Sequence, residues 1–140
     1  DDISKKVKSK KKSYKRIFID RSDSLQNHSK LINNNEVIKY LKSKRFKCLR
    51  LTELNLKDQI SIFKNCNTII APHGAGLTNI AFCKKNTKVI EIIPQDNKNF
   101  LFKRISKINK LKYKSIYLDK IYNNKNGDMH LNLDDLKKYL

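Results

Sequence analysis

The stretch Ala71-Pro72-His73-Gly74-Ala75-Gly76-Leu77-Thr78-Asn79 gathers the residue types in this chain best suited to holding an anion. Two glycines around an alanine let a backbone pass close to a ligand and take up positive φ, so that main-chain N–H groups can cradle a phosphate. Residues 74–79 would then line the bound group, with Leu77, Thr78 and Asn79 leading into a helix whose first turn offers amide and hydroxyl groups. Taken alone, Gly-x-Gly fits a ligand-free strand-to-helix turn equally well. The third glycine of the dinucleotide fingerprint and the Gly-Lys-Ser/Thr ending of a P-loop are both missing, so neither class is supported.

Three further side chains invite a chemical reading. Arg21 could pair with a diphosphate through its guanidinium fork, or be an ordinary surface arginine. His73 could donate to a phosphate oxygen or a sugar hydroxyl, could do acid–base work, or could merely stabilise its loop. Glu91 interrupts an apolar run, where a buried carboxylate needs donors; a ribose diol would supply them, and so would a lysine or arginine at a strand end. Asp119, Asp128 and His130 show no ligand spacing, and there is no Asp-x-Asp pair, so no metal and no cofactor are expected.

Positioning these groups falls to alternating apolar runs and helical patterns. Strands are expected at Arg16–Asp20, Phe46–Leu51, Thr68–Ala71, Lys88–Pro94 and Tyr113–Leu118. Residues 21–30 read as a loop. A helix opens at Asn33-x-x-Glu36 as a capping box, with Val37, Ile38 and Leu41 as its apolar stripe. Asn55 to Asp58 repeats the cap logic ahead of Leu56, Ile60 and Phe63, and helical patterns also cover Leu77–Phe82, Phe100–Ile108 and Leu133–Leu140. Strand alternating with helix predicts an α/β fold, a Rossmann-like parallel sheet with helices on both faces, its ligand beyond the carboxyl ends of the strands.

The 140 residues suit one domain, read as a basic lead-in or linker over 1–15 and a folded domain over 16–140. A hydrophobic fraction of 39% allows a packed core and excludes wholesale disorder. Of the 3 Gly and 2 Pro, four lie between Pro72 and Pro94, which marks that segment as conformationally special. The formal charge is +19, and the excess is chiefly lysine, accompanied by much Asn and Ile. Such a balance reads first as a solvated basic surface; a module binding nucleic acid or anionic polysaccharide is the second reading. Cys48, Cys66 and Cys83 lack metal or disulfide spacing and read as small buried hydrophobes. No apolar run approaches the ~18 residues of a membrane span, and no signal-peptide core is present. The chain begins without Met and reads as a fragment or trimmed domain.

From Ile69 to Phe82, followed by Val89-Ile90-Glu91-Ile92-Ile93-Pro94, the sequence closely resembles the signature region of glycosyltransferase family 61. Arg21-Ser22-Asp23, Ile32-Asn33 before Asn35-Glu36-Val37, and Asp58-Gln59-Ile60 agree in order and distance, so the resemblance spans roughly residues 16–118. It implies the donor-binding, carboxyl-terminal half of a two-domain GT-B enzyme that transfers sugar with inversion, without a metal, from a nucleotide sugar, expected to be UDP-linked. The implied partners are a glycan or protein acceptor and an upstream acceptor-binding domain, and in a bacterium the expected place is the cytoplasm, at or near the membrane surface. The resemblance also implies contact with the donor by Arg21, His73, residues 74–79 and Glu91. One departure is the region before the first helix, where the family pattern has arginine and then Asn-Glu but this chain has Lys30 and Asn33-Asn34; Glu36 either substitutes for the carboxylate or only caps the helix.

Overall fold

A computed structural model describes residues 12–22, 30–119 and 128–140. The Lys-rich segment before residue 12, Asp23 with most of the loop after the first strand, and residues 120–127 lie outside these. Five strands, β1 (Arg16–Ile19), β2 (Lys47–Leu49), β3 (Thr68–Pro72), β4 (Lys88–Pro94) and β5 (Lys112–Leu118), form one parallel sheet in the order β2-β1-β3-β4-β5. The α/β, Rossmann-like expectation therefore holds. β3 and β4 are buried along almost their whole length, which is why β3 reads as a continuous apolar run and β4 as one interrupted inside only by Glu91.

Alternate strand residues feed two cores, one on each side of the sheet. On one face Ile17, Ile19, Ile69 and Val89 meet α2 (Leu56–Asn65), a 3-10 helix over Ala75–Phe82, and α3 (Leu101–Ile108). On the other, Phe18, Ile70, Ile90 and Ile92 meet α1 (Asn34–Ser43) and α4 (Leu133–Lys137). Strand period 2 and helix period 3.6 thus share the same two layers. No helix among the described residues is long and apolar enough to cross a membrane.

Several local expectations change. Asn33 does precede α1, but its side chain makes no cap bond to the helix backbone; Nδ2 donates to the Leu131 carbonyl at 2.7 Å and Oδ1 accepts from the Leu131 N–H at 3.1 Å. Glu36 meets the Asn33 side chain at 3.2 Å, so the reciprocal capping box is replaced by a tie between chain segments. At α2 the cap forms as expected, with Asn55 Oδ1 accepting from the Asp58 N–H at 2.8 Å. Leu56, expected on the apolar face, is 65% exposed, and Ile62 and Phe63 carry the burial. β2 is shorter than expected, and its continuation is a 3-10 turn over Leu51–Glu53. Cys66 and Cys83 are buried free thiols as expected, whereas Cys48 is only half-buried.

Candidate functional site

The sheet order places its switch point between β1 and β3. β1 continues through α1 on one face to reach β2, and β3 continues through the 3-10 helix on the other face to reach β4. The connections leave in opposite directions, which opens a crevice at the carboxyl ends of these two strands. Arg21 follows β1 there, and His73-Gly74 follows β3. The Arg21 guanidinium donates to the carbonyl of His73, so two residues 52 positions apart meet at the crevice.

The glycines serve close approach and not left-handed backbone. Gly74 is extended, with φ 166° and ψ 170°, and Gly76 does not occupy the left-handed region either, contrary to the expectation of positive φ. A Cβ on Gly74 would fall inside the Arg21 guanidinium, and one on Gly76 would come within 2.7 Å of Leu51 Cδ1. Past Gly74 the Leu77 N–H donates to the Gly74 carbonyl at 3.0 Å and begins the 3-10 helix, leaving the N–H groups of Ala75 and Gly76 without an acceptor inside it. The 3-10 run spans eight residues, longer than the usual three or four.

Asp20, which closes β1, anchors the Arg21 side of the crevice. Its Oδ1 accepts from the Ser22 N–H at 2.9 Å and from Asn34 Nδ2 at 2.9 Å, while Oδ2 lies 3.2 Å from Arg50 Nε. Burial alone would raise the Asp20 carboxyl, but the bonds from Ser22, Asn34 and Arg50 outweigh it and hold the group below the usual carboxylate value. Sequence reading passed over Asp20; the available signal was a carboxylate ending an apolar strand directly before Arg21.

His73 and Glu91 form a pair. His73 Nδ1 lies 2.6 Å from Glu91 Oε2, and the Tyr113 hydroxyl donates to Oε1 of the same carboxylate. Ser115 Oγ lies 3.1 Å from the Tyr113 hydroxyl, and Phe102 sits edge-on to the imidazole with centroids 5.2 Å apart. Glu91 is mid-strand in β4, in register with Ala71 and Ser115, and is 1% exposed. In place of a lysine or arginine at a strand end, the Glu91 carboxylate meets Tyr113 of β5 and His73 at the end of β3. Tyr113 was missed, because in the sequence it marks only the start of a strand and its approach to Glu91 depends on the pairing of β4 with β5.

Asn79 is buried and donates through Nδ2 to Gln59 Oε1 at 2.9 Å; Gln59 in turn donates to the carbonyls of Leu51 and Leu54 at 2.9 and 3.1 Å. Its amide therefore braces the 3-10 helix against α2 and, through Gln59, the Leu51 turn. Thr78 is exposed. Asp128 accepts from the Lys30 N–H at 3.3 Å, and His130 is exposed.

The family model for glycosyltransferase 61 matches residues 1–90, which include β1, the crevice loop and β3. Glu91 and Tyr113 lie beyond that match. A β-1,2-xylosyltransferase of Arabidopsis thaliana is 35% identical to this chain over 68 residues, 49% of the chain and 13% of the relative's length. A second β-1,2-xylosyltransferase, from Oryza sativa subsp. japonica, is 35% identical over 69 residues with the same shares, 49% and 13%. The chain thus spans about an eighth of the length of these relatives. With the matched span running through the Arg21 crevice and the glycine loop, and with a doubly wound parallel sheet beneath them, the chain belongs to glycosyltransferase family 61.

Proposed function

We propose that this chain binds the nucleotide-sugar donor of an inverting glycosyltransferase and supplies the donor half of a GT-B pair. One observation carries the reading: Arg21 and the His73-Gly74 turn meet at the sheet's switch point, inside the span that matches the family. A diphosphate placed there would face the guanidinium of Arg21 and the N–H groups of Ala75 and Gly76 at the 3-10 helix start.

Transfer would proceed by in-line displacement. An acceptor hydroxyl, deprotonated by a base outside this chain, attacks the anomeric carbon as the bond to the diphosphate breaks, which inverts the centre. Charge then grows on the leaving diphosphate, and the preorganised donors of the crevice stabilise it where it develops. A UDP sugar is the donor class we assign, and a pentose is the first sugar to test, since the two plant relatives are named as xylosyltransferases. The acceptor would be a glycan or a protein, held by a separate upstream domain.

Calorimetric titration of the folded chain with UDP, with and without EDTA, tests the reading. Saturable binding that survives the chelator is expected; failure to bind any nucleotide would refute the donor site, and strict dependence on Mg²⁺ or Mn²⁺ would refute stabilisation by the chain's own donors. The chain alone should hold the donor without transferring sugar, since positioning of two reactants is worth up to ~7–11 kcal/mol and one partner's site is elsewhere.

A further inference from the structure

We propose that Glu91 and Tyr113 are positioning residues that clamp the His73 ring by Nδ1, so that Nε2 is the nitrogen the crevice presents, as an acceptor, to a hydroxyl of the bound nucleotide. The proposal rests on the donor-site reading above and adds to it two residues beyond the span that matches the family.

The geometry constrains the ring from its buried side. A carboxylate only accepts, so the 2.6 Å contact places the imidazole proton on Nδ1. The second oxygen of Glu91 is occupied by the Tyr113 hydroxyl, whose proton is secured because burial and the neighbouring carboxylate push the phenol up. Ser115, at 3.1 Å from the Tyr113 oxygen, completes a line of groups along β5 that ends on the carboxylate. Glu91 is 1% exposed while the His73 side chain keeps 15%, so the carboxylate end of the pair is closed and the imidazole end is the more open one. Phe102 lies across the ring at 62° and limits rotation about the side chain. Arg21 holds the same residue by its backbone carbonyl, which links the clamp to the crevice cation.

A carboxylate buried merely as a structural tie would fix the same Nδ1 proton but leave ligand affinity unmoved when the tautomer changes. A positioning role moves it, because a ring protonated at the other nitrogen turns the wrong group toward the ligand.

Nitrogen-15 NMR of the histidine side chains, recorded on the folded chain at a pH where the rings are neutral and assigned with a His73→Gln variant, reads the tautomer, and UDP affinity in the same variants separates positioning from a structural tie. Wild type should show His73 protonated at Nδ1 and bare at Nε2. Glu91→Gln, whose amide can donate or accept, should mix the two tautomers and weaken UDP binding by roughly tenfold, the size of one hydrogen bond to a charged group. Tyr113→Phe keeps the ring volume and should weaken UDP binding about threefold, with Nδ1 still protonated; this variant decides the matter if Glu91→Gln does not fold. A bound nucleotide with His73 protonated at Nε2, or unchanged UDP affinity in both variants, would overturn the clamp while leaving the donor site in place. A wild-type chain that binds no nucleotide would instead remove the donor site, and the ligand role of Nε2 with it.

Discussion

Replacing Gly74 by alanine adds one methyl group, and the structure assigns nearly all of its effect to a different residue. Gly74 is extended, at φ 166° and ψ 170°, a backbone that alanine adopts without strain. The added Cβ would overlap the Arg21 guanidinium, the flexible end of a long side chain, so Arg21 should swing away and release the His73 carbonyl while the fold persists. What is lost is a charge-assisted contact to the diphosphate, worth about 1.5–3 kcal/mol, or roughly 10- to 150-fold in UDP affinity. Arg21→Ala removes the same contact by another route. The two losses should therefore not add: in an Arg21→Ala background, Gly74→Ala should change UDP affinity by less than about 0.5 kcal/mol. Calorimetry on the four proteins of this cycle supplies the measurement, with a thermal melt of each to confirm folding. The melt has its own expectation in the Arg21→Ala background, where no guanidinium is displaced: Gly→Ala at an unstrained site stabilises by about 0.4–1 kcal/mol through the unfolded chain. Wild-type affinity in Gly74→Ala, or full additivity of the two losses, would refute the reasoning.

Two further outcomes follow from contacts around the crevice. Gly76→Val should displace Leu51, whose Cδ1 lies only 2.7 Å from where the added Cβ would sit, and so weaken UDP binding and lower the melting temperature together; a change in neither would show that the Leu51 turn does not support the loop. Asp20, held below its usual value in the folded chain, contributes stability that is present above the unfolded carboxyl value of about 3.9 and is lost as pH falls through the lower folded value. Urea unfolding between about pH 2 and 6 should show this acid slope in wild type and a shallower one in Asp20→Asn, and equal slopes would remove Asp20 as its source.

The sequence pattern makes the layers of this fold legible because burial on both faces of a central strand favours a continuous apolar run, and Thr68–Pro72 is such a run while Lys88–Pro94 departs from it inside the strand only at Glu91. The Asn55 cap is legible for a similar reason: donor and acceptor lie three residues apart, so local spacing settles it. Asn33 carries the same local signal, and there a partner at Leu131 prevails, since nothing in a capping pattern registers a competitor 98 positions away. The site divides along the same line. Arg21 and His73 stand out by type and by their place after strands, but the pairing of His73 with Glu91 and Tyr113 depends on strand order and register. Glycine was expected to supply unusual φ, whereas at Gly74 it is the missing Cβ that matters, and that follows only from where the Arg21 side chain lies.

The contact between Asn33 and Leu131 bears on the order in which the chain assembles. Beside it, Leu31 and Met129 form an isolated parallel bridge, with the Met129 N–H donating to the Lys30 carbonyl at 2.8 Å and the Ile32 N–H to the Met129 carbonyl at 2.9 Å. This short ladder joins the approach to α1 with the approach to α4, and so closes a loop containing most of the sheet. Closing a loop of that length costs chain entropy before its own hydrogen bonds return anything, whereas β3, β4 and β5 pair across much shorter connections. The sheet's centre can thus form early, while the Lys30–Asn33 segment that leads into α1 waits for the last part of the chain to arrive. The crevice inherits that timing, because Asn34, the first residue of α1, is also a donor to Asp20 next to Arg21.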